Sequence, residues 1–108
     1  DVLNILRDFD SEYLKLTLDI GHANLTNISP LDYIKTLKDE IVHLHLNDNF
    51  GKEDQHLVPG EGEINYPAIF KQLKEINFDQ VGIFEIWAPD KTDQALINSK
   101  NYIESLLS

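Results

Sequence analysis

The sequence predicts an α/β fold built from parallel βα units. Three observations carry that expectation. Segments with strand alternation take turns with segments of helical spacing, each strand segment ends beside a carboxylate or an imidazole, and each strand has one apolar face. Right-handed crossovers would join such strands into a parallel sheet.

Val2, Ile5, Leu6 and Phe9 recur at helical spacing before Asp10-Ser11-Glu12 breaks the pattern, so a helix or its last turns is expected at residues 1–9. Tyr13 to Ile20 then alternates. Leu14, Leu16, Leu18 and Ile20 point one way and Lys15, Thr17 and Asp19 the other, a strand ending in a carboxylate. Gly21 to Ile28 is polar and turn-like. Ser29 suits an N-cap and Pro30 the first helical position, with Leu31, Ile34 and Leu37 as the stripe of a helix running to about Lys38. Residues 41–47 alternate again, with Val42, Leu44 and Leu46 on one face and Ile41, His43, His45 and Asn47 on the other.

Residues 48–63 carry Asp48, Asn49, Gly51, Pro59, Gly60 and Gly62, a loop of a length uncommon in a compact domain unless it is functional. A short strand is expected near Leu57-Val58. Asn65 can cap the next helix, with Pro67 in its first turn and Ile69, Phe70, Leu73 and Ile76 on its apolar face. Val81 to Trp87 reads as a third strand with Glu85 near its end. Pro89-Asp90 opens a last helix whose apolar positions are Ala95, Leu96, Tyr102, Ile103, Leu106 and Leu107. With no repeat, low-complexity run or flexible linker, residues 1–108 read as one structural unit.

Composition narrows the function. A chain that is 42% hydrophobic and 26% charged can fold around a modest core, and no apolar run approaches the roughly 20 residues of a bilayer span. No export signal is visible, so a cytoplasmic setting is expected. Cysteine is absent, which leaves nitrogen and oxygen as the only metal donors. The net charge of −10 argues against nucleic acid, whose binding rests on Lys and Arg neutralising phosphates. Methionine is also absent and the chain opens within a helical pattern, so a fragment of a longer protein is expected.

All four histidines fall in three clusters: Asp19-Ile20-Gly21-His22, His43-Leu44-His45 and Asp54-Gln55-His56; Glu85 stands alone on the third strand. In α/β folds ligands bind beyond the carboxyl ends of the parallel strands, where Asp19, His45 and Glu85 should meet. Imidazoles and carboxylates gathered from several strands suit a divalent metal, and oxygen and nitrogen donors admit Mn, Mg, Co or Zn. The polar strand faces suit a barrel interior with the site at its mouth.

These residues bring a family into view. Leu18-Asp19-Ile20-Gly21-His22, His43-Leu44-His45-Leu46-Asn47-Asp48, Asp54-Gln55-His56 followed by Pro59-Gly60-Glu61-Gly62-Glu63-Ile64, and Phe84-Glu85 occur in an order that resembles the carboxyl-terminal half of the xylose isomerase-like TIM (β/α)8 barrels. That superfamily holds sugar and sugar-phosphate isomerases and epimerases and also endonuclease IV. The resemblance implies that Asp19, His45 and Glu85 are metal ligands. It implies that His22 binds a second metal or touches substrate hydroxyls, and that Asp54 and His56 match a pair holding a further metal in the endonuclease, a pair that sugar-isomerase-like members also carry and that leaves the branch open. A whole barrel needs eight strands and roughly 250 residues, so the chain alone is expected to be inactive.

Plainer roles stand beside these. Asp19 could simply cap the turn after its strand, and His22 could be a surface residue. His43 is expected to be hydrogen-bonded beneath His45. Trp87 either walls the pocket as a substrate contact or packs on its rim, and Asp39, Glu40, Glu53 and Glu61 read as solvated. Gly60-Glu61-Gly62 lacks a Lys and opens no helix directly, which argues against a phosphate loop. The leading expectation is a metal-dependent isomerase or epimerase of a small sugar or polyol, with Glu85 moving the proton. Two rivals are an endonuclease IV-type nuclease and a non-catalytic half barrel that self-associates through exposed sheet edges.

Overall fold

The computed structural model describes residues 15–107, so the expected helix at 1–9 and the first residues of the first strand lie outside the described residues. Three strands form one parallel sheet in the order β1 (Leu16–Asp19), β2 (Ile41–Leu46) and β3 (Val81–Phe84). Between and after them run the single turn α1 (Ile20–Ala23), α2 (Pro30–Leu37), α3 (Tyr66–Glu75) and α4 (Thr92–Leu107). This is the predicted alternation of βα units.

The caps form as their residue types dictate. The Ser29 hydroxyl accepts from the Asp32 amide at 3.1 Å, and Pro30 occupies the first turn of α2, where its missing N–H costs nothing. Asn65 does the same for α3 through the Ala68 amide at 3.1 Å. Asp19 caps α1 by accepting from the His22 amide at 2.9 Å, so the stretch after β1 is helical where a turn was expected. At its other end α2 stops at Leu37, and Lys38 to Glu40 tighten into a 3-10 turn.

The core lies between the sheet and the helices. Leu18, Leu44 and Leu46 meet Ile34 and Leu37 of α2, Ile69, Phe70 and Leu73 of α3, and Ile103 of α4, all buried. Tyr66 is fully buried as well, its hydroxyl donating to the Asn47 carbonyl, and burial pushes that phenol far above its ordinary range. On α4 the buried positions are Ala95, Ser99 and Ile103, whereas Leu96 and Leu107 are exposed; Ser99 hides its hydroxyl by donating to the Ala95 carbonyl.

Two expectations need correction. Ile41 lies in the core and not on the polar face, because Leu16 pairs with Ile41 while the next residue, Thr17, pairs with His43. Val42 is thus an extra residue in β2, and one extra residue reverses which face the earlier residue points to. The predicted third strand is also shorter, ending at Phe84, although the Glu85 amide still donates to the Leu46 carbonyl at 3.1 Å.

Candidate metal centre

Register brings the donors level. Asp19 pairs with His45 and His45 with Ile83, so the ends of all three strands stand side by side with Glu85 one step past the last rung. Asp19, His45 and Glu85 each offer a donor atom, and these atoms all lie within 4.8 Å of one another. His45 Nδ1 is 2.9 Å from Glu85 Oε1 and 4.0 Å from Asp19 Oδ2. Two donors bound at about 2.0–2.2 Å to one ion stand roughly 3 Å apart, so this spacing fits a shared divalent cation. All three side chains are half-buried, which lets an ion enter yet keeps part of its shell dry.

The carboxylate of Asp19 is held from two directions. Oδ1 takes the His22 amide and lies 3.5 Å from Asn47 Nδ2, which turns Oδ2 toward His45. Capping and site-building therefore coexist in one residue. Asn47 is fully buried against Gly21, and its Oδ1 has no partner among the described residues.

The long loop is organised by residues that sequence reasoning passed over. Asp48 is fully buried; Oδ1 accepts from the amides of Asn49 at 2.9 Å and Ile64 at 3.1 Å, and Oδ2 from Gly60 at 2.9 Å. Within the Gly60–Gly62 stretch the Gly60 amide thus faces a carboxylate of the protein itself and the Glu61 amide donates to the Val58 carbonyl at 2.9 Å, an arrangement unlike a phosphate cradle. Asn49 joins the loop to α1 by donating to the Gly21 carbonyl at 2.9 Å while accepting from Asn24 at 2.8 Å. Asp48 and Leu57 form an isolated antiparallel bridge where a short strand was expected. The signal available was the polar run Asn47-Asp48-Asn49 directly after an apolar strand.

Asp54 and His56 come together at 3.2 Å, beside the trio and not within it, and His56 Nδ1 lies 2.7 Å from the Glu85 carbonyl. That carbonyl, with the Asp54 carboxylate, raises the His56 pKa above its usual value of 6.5. Trp87 is 72% exposed and lines an open groove of about 1050 Å³ with Asp54, His56 and Glu85. His22 is exposed, its amide engaged at Asp19. His43 is exposed, and its ring has no hydrogen-bond partner among the described residues, contrary to expectation; its strand neighbours are Thr17 on β1 and Val81 on β3. Among the described residues no helix is long and apolar enough to cross a membrane.

Known proteins share this arrangement of sequence and fold. An uncharacterized protein of Methanocaldococcus jannaschii is 37% identical over 98% of the chain, which spans 36% of that relative's length. D-psicose 3-epimerase of Enterocloster bolteae is 28% identical over 79% of the chain, equivalent to 27% of the enzyme. A solved D-tagatose 3-epimerase-like protein superposes with a TM-score of 0.80 at 36% identity, covering 97% of the chain and 40% of that structure. The chain therefore spans roughly a third of the relatives it matches. Residues 1–106 match the xylose isomerase-like TIM barrel family, and to that family this chain belongs.

Proposed function

We propose that the protein acts as a divalent-metal-dependent isomerase or epimerase of a sugar or related polyol, with Asp19, His45 and Glu85 holding the cation. The single observation behind this reading is the convergence of those three donors within 4.8 Å at the carboxyl ends of parallel strands. Relatives named as a D-psicose 3-epimerase and a D-tagatose 3-epimerase-like protein support the substrate class. When bound, such a cation would polarise adjacent carbonyl and hydroxyl oxygens and acidify the carbon-bound proton between them.

The residues of the chain supply part of the remaining chemistry. Glu85, with one carboxylate oxygen against His45, is the group that moves the proton on one face of the reacting carbon, and a second acid serves the opposite face. Trp87 walls the groove beside it, and His22 at the mouth contacts substrate hydroxyls. The rest of the site, including a second acid, would come from the remainder of a full barrel. In deuterium oxide, the full-length protein loaded with Mn²⁺ should exchange the C3 proton of D-psicose or D-tagatose, and Glu85→Gln should abolish that exchange. Full exchange by Glu85→Gln refutes the role of Glu85; uptake of no divalent cation refutes the reading of the site.

The nuclease reading draws on one feature, the close approach of Asp54 and His56. The charge of −10 opposes it. A gel shift with abasic duplex DNA separates the two: retention of the duplex at physiological salt favours the nuclease.

A further inference from the structure

We propose that His56, steadied by Asp54, is a positioning residue that locks the end of β3 and so aims the Glu85 carboxylate at its partners; this rests on the cation-binding reading of Asp19, His45 and Glu85. The geometry starts from what β3 lacks. Its pairing with β2 ends at Phe84, and the Glu85 amide to the Leu46 carbonyl is the last contact with that strand. Residues 85–87 would then be free to swing, and with them the only donor that β3 contributes to the site.

His56 supplies the missing rungs from the other side. Its Nδ1 lies 2.7 Å from the Glu85 carbonyl oxygen, and since a carbonyl can only accept, Nδ1 carries the hydrogen. Its own carbonyl accepts from the Trp87 amide at 2.9 Å. One residue therefore grips the chain on both sides of Ile86. It can do so because its φ is +53°, a left-handed conformation that turns ring and carbonyl toward the same segment. Non-glycine residues adopt that region at a cost, which the two bonds offset. Asp54 Oδ1, 3.2 Å from Nε2, fixes the ring plane.

Glu85 is thus held at its amide by β2, at its carbonyl by His56 and at its side chain by His45. Rotation about the backbone at residue 85 is blocked at both ends. The loop of residues 48–63 acquires a purpose beyond closure: it carries the clamp to the strand that needs it.

The test uses Mn²⁺ alone as probe, with titration calorimetry on the chain and amide hydrogen exchange on the metal-free form. His56→Ala should weaken Mn²⁺ binding about tenfold to a hundredfold, the usual effect of removing an outer hydrogen-bond partner, without changing the number of ions bound. His56→Asn should recover most of that loss, since Asn tolerates the left-handed backbone and places an amide donor near Nδ1. Faster exchange at the Glu85 and Trp87 amides in metal-free His56→Ala supports the clamp. Unchanged exchange there overturns it, as does the loss of one ion per chain in both His56→Asn and Asp54→Asn, which would make the pair direct ligands. If the wild-type chain takes up no Mn²⁺, the reading of the site fails while the exchange data still decide the clamp.

Discussion

Replacing Asp48 should destabilise the chain more than any other single polar substitution in the loop, and in a graded way. The carboxylate is fully buried and accepts three backbone amides, those of Asn49 and Ile64 on one oxygen and Gly60 on the other. Asp48→Ala leaves all three without a partner. A buried unpaired donor costs about 1–3 kcal/mol, and the Gly60 amide is only partly buried, so the total is roughly 3–6 kcal/mol. A chain of this size is stable by about 5–15 kcal/mol, which makes the loss a large share of the whole. Asp48→Asn retains one oxygen for Asn49 and Ile64 and sets an amide nitrogen against the Gly60 N–H. Its cost is therefore that of one bond, about 1–3 kcal/mol. Urea unfolding followed by circular dichroism measures both. Equal midpoints for the Ala and Asn variants, or a loss below about 1 kcal/mol for Ala, would refute the reasoning that the loop is built on this carboxylate.

Further outcomes follow from other contacts. In Gly21→Ala the new methyl would lie 1.7 Å from Asn47 Oδ1, in a side chain with nowhere to retreat; stability should fall by about 1–3 kcal/mol and Mn²⁺ affinity with it, since Asn47 steadies Asp19. Wild-type affinity in that variant would break the link. Because the folded-state pKa of His56 is raised by the Glu85 carbonyl, its contribution to stability is fully present below about pH 6.5, the unfolded value, and fades as pH rises through the folded value. Urea midpoints across pH 5.5 to 8.5 should fall over that window in the wild type and flatten in His56→Asn; parallel curves would refute the assignment. Val81 and Ile83 are 54% and 42% exposed on β3, which among the described residues has a neighbour on one side only. Light scattering of the 108-residue chain should show concentration-dependent association that Val81→Lys suppresses, and a clean wild-type monomer at high concentration would count against it.

Periodicity and caps made most of the fold readable. Ser29 with Pro30 and Asn65 with Pro67 act locally, so sequence alone located the starts of α2 and α3. The alternation Leu44, His45, Leu46 likewise put His45 at the mouth and its neighbours in the core. What escaped notice depends on long-range contacts. The slip beside Val42 is a matter of register between two strands, and nothing within residues 41–47 announces it. Asp48 looks like any loop carboxylate until Gly60 and Ile64 fold back over it. His56 was legible as chemistry and not as geometry, since its partner, the Glu85 carbonyl, lies 29 residues away.

The unpaired Val42 also separates two jobs within the sheet. Below it, the strands can differ in length or drift along one another, because the surplus residue absorbs the mismatch before the upper rungs begin. Above it, Asp19 and His45 stay abreast. Substitutions, insertions or thermal slippage below Val42 should therefore leave Asp19 and His45 aligned, much as an expansion joint keeps two spans of a bridge level while one of them lengthens.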